Sequence, residues 1–257
     1  MDLDDAYANA AYIPGGADYP DAWAAQAAAF RASARCEIDL AYGESARQRF
    51  DLFHPDRLAK GVVIFVHGGY WLRFDKSFWS HLAAGPLARG WAVAMPSYDL
   101  CPDVTIAQIG DQIAQAIGVI AARVPGPVRL AGHSAGGQLV ARMTAPRPGA
   151  GWQDRLARVV PISPVADLAP LMRTSMNADL GITDAVVTSE SPVHLPKPQV
   201  PVTVWVGGAE RPVFIEQAGL LAREWELPLV TVPDRHHFDV IAELALPDSD
   251  LTRAVLS

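Results

Sequence analysis

Short runs of consecutive apolar residues punctuate the chain: VVIFV at Val62 to Val66, WAVAM at Trp91 to Met95, VRLA at Val128 to Ala131, VVPIS at Val159 to Ser163, VTVWV at Val202 to Val206 and PLVTV at Pro228 to Val232. None alternates with polar positions as a half-exposed strand would, so the pattern predicts strands buried on both faces, the mark of parallel pairing. Segments of helical period separate them. In the clearest, running from Thr105 to about Val124, Ile106, Ile109, Ile113, Ile117 and Ile120 fall three or four apart and make one apolar stripe. Thr105 ahead of the stripe is a candidate N-cap. Strand, helix and strand at this cadence predict an α/β fold, a mostly parallel sheet with helices on both faces. Before the first parallel strand, CEIDLAYG and RQRFDLF flank a turn near Gly43 to Ala46 and predict an antiparallel N-terminal edge hairpin. From about Leu168 to Val200 the rhythm breaks, and a stretch rich in Pro, Ser, Thr and Asp reads as an irregular, cap-like excursion over the sheet edge. No linker, repeat or low-complexity tract divides residues 1–257, so a single domain is expected.

Composition narrows the partners. With 257 residues, 50% hydrophobic and 19% charged, the chain can bury a sizeable core, which excludes disordered and fibrous classes. A net charge of −7 and a pI near 5.4 argue against nucleic acid, whose binders need clustered Lys and Arg to displace counterions. Two cysteines, Cys36 and Cys101, are too few for a disulfide framework or a cysteine metal site and fit a reducing compartment. The acidic start MDLDDAYANAAY lacks the basic and apolar regions of a signal peptide, and no apolar run approaches the ~18 residues of a bilayer span. The expectation is a cytoplasmic protein acting on a small molecule, with no membrane partner.

Chemistry concentrates at three places. After VRLA comes Gly132-His133-Ser134-Ala135-Gly136-Gly137, a G-x-S-x-G pattern, and QLVARMT beyond it reads as a helix. A sharp strand-to-helix turn lifts the central serine above a sheet, and the flanking glycines are needed because a Cβ would strike neighbouring backbone. Ser134 then lies at a helix N-terminus, where free amides favour developing negative charge. His133, inside the motif, reads as a packing residue. After VVIFV comes His67-Gly68-Gly69-Tyr70-Trp71. Glycines there let backbone amides approach a reacting oxygen, so Gly68, Gly69 and Ala135 are the candidate oxyanion donors. His67 reads as a loop-stabilising residue. Tyr70 and Trp71, beside those glycines, are the candidate substrate-binding residues.

A serine nucleophile needs a base, and on such a sheet the chain order is nucleophile, acid, histidine. His194, His236 and His237 follow Ser134. His194 lies in the irregular excursion, whereas the HHF pair follows the last strand, and His237 is taken as the base with His236 its structural neighbour. The acid belongs just beyond the preceding strand, where Glu210 follows VTVWVGGA; Asp167, after VVPIS, is the competitor. No dinucleotide fingerprint or P-loop is present and His236, His237 and Asp239 are too close in sequence to converge on an ion, so neither cofactor nor metal is assigned.

The motifs HGGYW, GHSAGG and a late HF followed by an acidic and an apolar residue resemble those of the α/β-hydrolases, and more narrowly of the kynurenine formamidase (arylformamidase) group. YDLCP at Tyr98 to Pro102, the run from Val165 and SMNADLGI at Ser175 to Ile182 extend the likeness over most of the chain. The resemblance implies an α/β-hydrolase fold with Ser134 as nucleophile, His237 as base and Gly68, Gly69 and Ala135 as the oxyanion group. It departs at the acid, usually Asp in the group and Glu210 here; the extra methylene requires a different loop. The implied reaction is hydrolysis of an aryl formamide such as N-formylkynurenine through a formyl-enzyme. A carboxylesterase or thioesterase with the same parts is the alternative, and a catalytically silent binding module is a third reading.

Overall fold

The computed structural model describes residues 3–257. Its eight strands are β1 (Cys36–Ala41), β2 (Arg49–Phe53), β3 (Val62–Val66), β4 (Ala92–Pro96), β5 (Val128–His133), β6 (Leu156–Ile162), β7 (Val204–Gly207) and β8 (Leu229–Val232), and they form one sheet in the order β1-β2-β4-β3-β5-β6-β7-β8. β1 pairs antiparallel with β2 and β2 antiparallel with β4, while every other pairing is parallel. The N-terminal hairpin is therefore the antiparallel edge that its two short runs predict.

Around the sheet lie α1 (Tyr19–Ser33), α2 (Ala84–Ala88), α3 (Ile106–Arg123), α4 (Ala135–Arg142), α5 (Asn177–Leu180), α6 (Asp184–Glu190), α7 (Pro212–Glu224) and α8 (Asp250–Leu256). α3 opens with a reciprocal cap: Gln108 N–H donates to Thr105 Oγ1 at 3.2 Å and Thr105 N–H donates to Gln108 Oε1 at 2.8 Å. Its isoleucine stripe is fully buried against Val62, Ile64 and Val66. The alternate residues Val63 and Phe65 face the opposite layer, with Trp23 of α1, Trp79 and Leu251 of α8. The two-residue period of β3 thus serves two cores at once, which is why its sequence is apolar throughout.

One expectation needs correction. PLVTV reads as a strand buried on both faces, but β8 is the outer edge of the sheet, half-exposed along its length, with Leu229 40% exposed. A run of apolar residues carries no mark of whether a second neighbour flanks it. The irregular excursion over 168–200 holds α5, α6 and short 3-10 turns at Ala169–Arg173 and Pro192–His194, each too short to show a period. Among the described residues no helix is long and apolar enough to cross a membrane.

Candidate active site

Ser134 occupies the turn between β5 and α4 at φ 56° and ψ −117°, outside the regions a non-glycine residue ordinarily adopts. The turn is tight enough that a Cβ on Gly132 would come within 2.2 Å of the Gly136 carbonyl oxygen, and one on Gly136 within 2.1 Å of that of Val66. Both glycines of the motif are therefore required by close backbone approach, and the strand in contact is β3, which delivers the HGGYW loop to the same place.

That loop folds back on itself. Gly69 sits at φ 115°, its carbonyl accepting from the N–H groups of Leu72 and Arg73 at 3.0 and 3.1 Å. Gly68 presses on the elbow, where an added Cβ would lie 3.0 Å from that of Ser134. Among the described residues the N–H groups of Gly68, Gly69, Tyr70 and Ala135 have no acceptor. Unspent donors on two strand ends around one hydroxyl form a cradle for negative charge. His67 lies beneath: buried, stacked on Tyr98 with ring centroids 4.4 Å apart, its Nδ1 2.7 Å from the Gly68 carbonyl oxygen. Burial pushes its imidazole down to about 4, so it stays neutral at physiological pH.

The other half of the site comes from the far side of the sheet. His237 follows β8 and Glu210 follows β7; His237 Nδ1 lies 2.6 Å from Glu210 Oε2, both side chains being almost wholly buried. Glu210 Oε1 accepts from Ser163 Oγ at 2.5 Å and from the Gly207 N–H at 2.8 Å. Asp167 stands apart, its Oδ1 accepting from the Ala169 N–H at 2.9 Å, so Glu210 is the carboxylate that reaches the histidine. His236 turns elsewhere, 3.1 Å from the Tyr19 hydroxyl through Nε2. His133 lies against His237 with ring centroids 4.6 Å apart, and burial holds it far below the usual imidazole range.

Ser134 and His237 line one cavity of about 580 Å³ together with Gly68, Gly69, Tyr70 and His133. No hydrogen bond joins the Ser134 hydroxyl to His237 among the described residues; such contacts commonly close only when substrate is bound. Trp23, Phe74, Trp79 and Phe238 give the cavity an aromatic wall. Tyr70 belongs to it, its hydroxyl donating to the Tyr7 carbonyl at 2.7 Å. Trp71 does not: its side chain is fully buried beneath the loop and its Nε1 donates to Gln138 Oε1 at 3.2 Å, bracing the loop against α4. Adjacent residues in this turn point oppositely, so the expectation that both contact substrate fails for Trp71.

Sequence reasoning missed the roof of the cavity. Tyr7 to Ala11, Gly16, Ala17 and Pro20 cover it, with Ser175 and Met176 as the contribution from the 168–200 excursion. The strap is held by Arg211, whose Nη2 lies 2.9 Å from Asp5 Oδ2, and by the Leu3 N–H donating to the Arg173 carbonyl at 3.4 Å. The only signal in the sequence was the aromatic content of a segment that carries no period.

The α/β-hydrolase fold family matches residues 63–195, from β3 through the elbow. The chain is 32% identical over 241 residues to a kynurenine formamidase of Drosophila melanogaster, covering 83% of this chain and 78% of that one. It is 27% identical over 250 residues to a kynurenine formamidase of Salmo salar, at 88% and 83% coverage. Among solved structures, one from Silicibacter sp. TM1040, provisionally called a thioesterase, superposes with a TM-score of 0.98 at 53% identity over 100% of both chains. Esterase B of Lactobacillus rhamnosis superposes with a TM-score of 0.70 at 19% identity, covering 93% of this chain and 91% of that one, a likeness of fold alone. With the family matched over more than half of the chain and a relative 32% identical over most of it, on a sheet of this order, the chain belongs to the α/β-hydrolase family.

Proposed function

We propose that residues 1–257 form a single serine-hydrolase domain that cleaves aryl formamides such as N-formylkynurenine, with Ser134 as nucleophile, His237 as general base and Glu210 as the acid that orients it. The observation that carries the chemistry is the buried Glu210–His237 contact of 2.6 Å on the wall of the cavity that holds Ser134. Substrate class follows from the relatives named kynurenine formamidase and from the aromatic wall.

In this reading His237 Nε2 takes the Ser134 proton while Oγ attacks the formyl carbon. The carbonyl oxygen becomes an oxyanion held by amides among Gly68, Gly69 and Ala135, and Glu210 balances the imidazolium. His237 then protonates the departing aniline nitrogen as the C–N bond breaks, which leaves a formyl ester on Ser134. Water attacks that ester with His237 again as base, and formate departs as the proton returns to Oγ.

A thioesterase or carboxylesterase is the second reading, favoured by the 53% identity to the structure provisionally called a thioesterase. Measuring kcat/KM on N-formylkynurenine, an aryl acetate, an aryl butyrate and an acyl thioester separates the two. The formamidase reading expects N-formylkynurenine to be hydrolysed and short acyl groups to be preferred. Preference for the thioester or the butyrate, with N-formylkynurenine untouched, contradicts it.

A further inference from the structure

The imidazole of His237 is fixed by hydrogen bonding at one end only. Its Nδ1 meets Glu210 Oε2 at 2.6 Å, and among the described residues no hydrogen bond from Ser134 holds the other end of the ring. One hydrogen bond places one atom and leaves the ring free to swing about it, so the direction of Nε2 is set by what packs on the imidazole. Two rings lie against it: Phe214, fully buried, with centroids 4.1 Å apart, and His133 at 4.6 Å.

Phe214 in turn bears on the N-terminal strap. The ring of Tyr7 meets it edge to face, centroids 5.9 Å apart at 73°, and Tyr7 is buried although no helix or strand holds it. The Tyr7 hydroxyl accepts from Gln217 Nε2 at 3.1 Å; Gln217 lies one turn beyond Phe214 on α7, and its Oε1 accepts from the Ala166 and Asp167 N–H groups at 2.9 and 2.7 Å. The backbone of the same residue reaches the other half of the site. Its carbonyl accepts from the Tyr70 hydroxyl at 2.7 Å, and Tyr70 directly follows Gly68 and Gly69. A roof alone needs neither contact: Ala8, Ala10 and Ala11 cover the cavity with small side chains.

From these contacts we infer that Tyr7 is a positioning residue: its ring, through Phe214, sets the plane of His237, and its carbonyl, through Tyr70, sets the loop of candidate oxyanion donors. The N-terminal strap thus completes the reacting geometry as well as roofing the cavity. The inference rests on the serine-hydrolase reading for the roles of Ser134 and His237, and is indifferent to the acyl and leaving groups of the substrate. A misplacement of about 1 Å in such geometry costs on the order of 10²-fold in rate, so loss of the Tyr7 ring is felt in the chemical step.

The test uses diisopropyl fluorophosphate, whose small leaving group needs no aryl wall: Ser134 Oγ attacks phosphorus, fluoride departs and His237 takes the proton. The labelling rate constant is followed by intact-protein mass spectrometry, where unfolded chains appear as an unreacted plateau and do not enter the rate. Tyr7→Leu is expected to lower it about tenfold to 100-fold, and Tyr7→Phe, which keeps the ring, to stay within about threefold of wild type. On an aryl acetate, Y7L should lower kcat more than it raises KM. In a Phe214→Leu background Y7L should cost at least about threefold less than it does alone, because the two residues act along one path. If Tyr7 merely walls the cavity, KM rises while the fluorophosphate rate of Y7L stays within about twofold of wild type, and that result overturns the inference; so does an equal loss in both backgrounds. Should Y7L not fold, Tyr70→Phe, which removes one hydroxyl and keeps the rings, reads the other arm: a fall of about threefold to tenfold supports the inference and an unchanged rate overturns it. If wild-type Ser134 takes no label, the serine-hydrolase reading fails, and the far-downfield proton resonance of the Glu210–His237 contact, identified by its loss in Glu210→Gln, decides. Displacement or broadening in Y7L with recovery in Y7F supports the positioning role, and an unmoved resonance overturns it.

Discussion

Replacing Glu210 by Gln probes the acid sharply, because the hydrogen bonds around its carboxylate dictate which way the new amide turns. Oε1 receives the Gly207 N–H at 2.8 Å and Ser163 Oγ at 2.5 Å, and Oε2 faces His237 Nδ1 at 2.6 Å. A backbone N–H cannot become an acceptor, so the amide oxygen stays on the Gly207 side and the NH2 turns to His237. Facing a donor, Nδ1 must be bare, and the ring proton moves to Nε2, the nitrogen that has to accept from Ser134. Flipping the amide restores the tautomer but sets NH2 against the Gly207 N–H, a cost of about 1–3 kcal/mol that leaves the useful form only about a fifth to a hundredth populated. Loss of the charge that steadies the imidazolium adds to this, and the same exchange in another serine hydrolase costs about 10⁴-fold in kcat, ~5 kcal/mol of barrier. We expect E210Q to lose about 10²-fold to 10⁴-fold in kcat on an aryl acetate, with the thermal melt used to confirm folding. Asp167→Asn, whose carboxylate only holds the Ala169 N–H, should cost far less. A loss below tenfold in E210Q, or the reverse ranking, refutes the argument.

Other outcomes follow from the same contacts. Trp23 is 7% exposed and packs 4.5 Å from Trp79 and 5.3 Å from Phe238, so Trp23→Ala should destabilise the fold by about 3–5 kcal/mol in urea unfolding and raise KM; a change below ~1 kcal/mol contradicts that packing. For one aromatic leaving group, kcat/KM should fall from formyl to acetyl to butyryl by roughly 1–3 kcal/mol of discrimination per methylene, and a flat series refutes a closed acyl side. His67 is held down to about 4 by burial while the unfolded chain titrates at its ordinary value, so between these the unfolded state binds the extra proton and stability rises with pH. Its contribution should weaken by about 2 kcal/mol from pH 7 to pH 5, and His67→Asn should make the slope shallower by that share while His81 and His133, also held down by burial, keep the rest; an unchanged slope in the variant contradicts the burial account.

Much of this was legible because the relevant signals are local. β3 has the bounds its five apolar residues predict, and α3 begins one residue after the threonine that caps it. G-x-S-x-G and HGGYW are legible because their geometry is set by backbone approach, which glycine spacing encodes. Glu210 and His237 come together through the chain order of strand ends, a property of the sheet. What stayed hidden depends on packing between distant segments. The direction of Trp71 is decided by Gln138 on α4, the edge position of β8 by having β7 as its one strand neighbour, and the roof of the cavity by an N-terminal strap held through Arg211 and the Arg173 carbonyl. None of these partners is close in sequence, and none leaves a period to read.

In the proposed mechanism Ser134 carries the acyl group. Paraoxon, which phosphorylates activated serines, gives the most direct test when intact-protein mass spectrometry and residual N-formylkynurenine hydrolysis are followed in the same samples. One diethylphosphoryl adduct per chain is expected, on the peptide bearing Ser134, with activity lost in proportion to labelling and neither adduct nor turnover in Ser134→Ala. Activity that survives full labelling of Ser134, or Ser134→Ala turnover within tenfold of wild type, would contradict it.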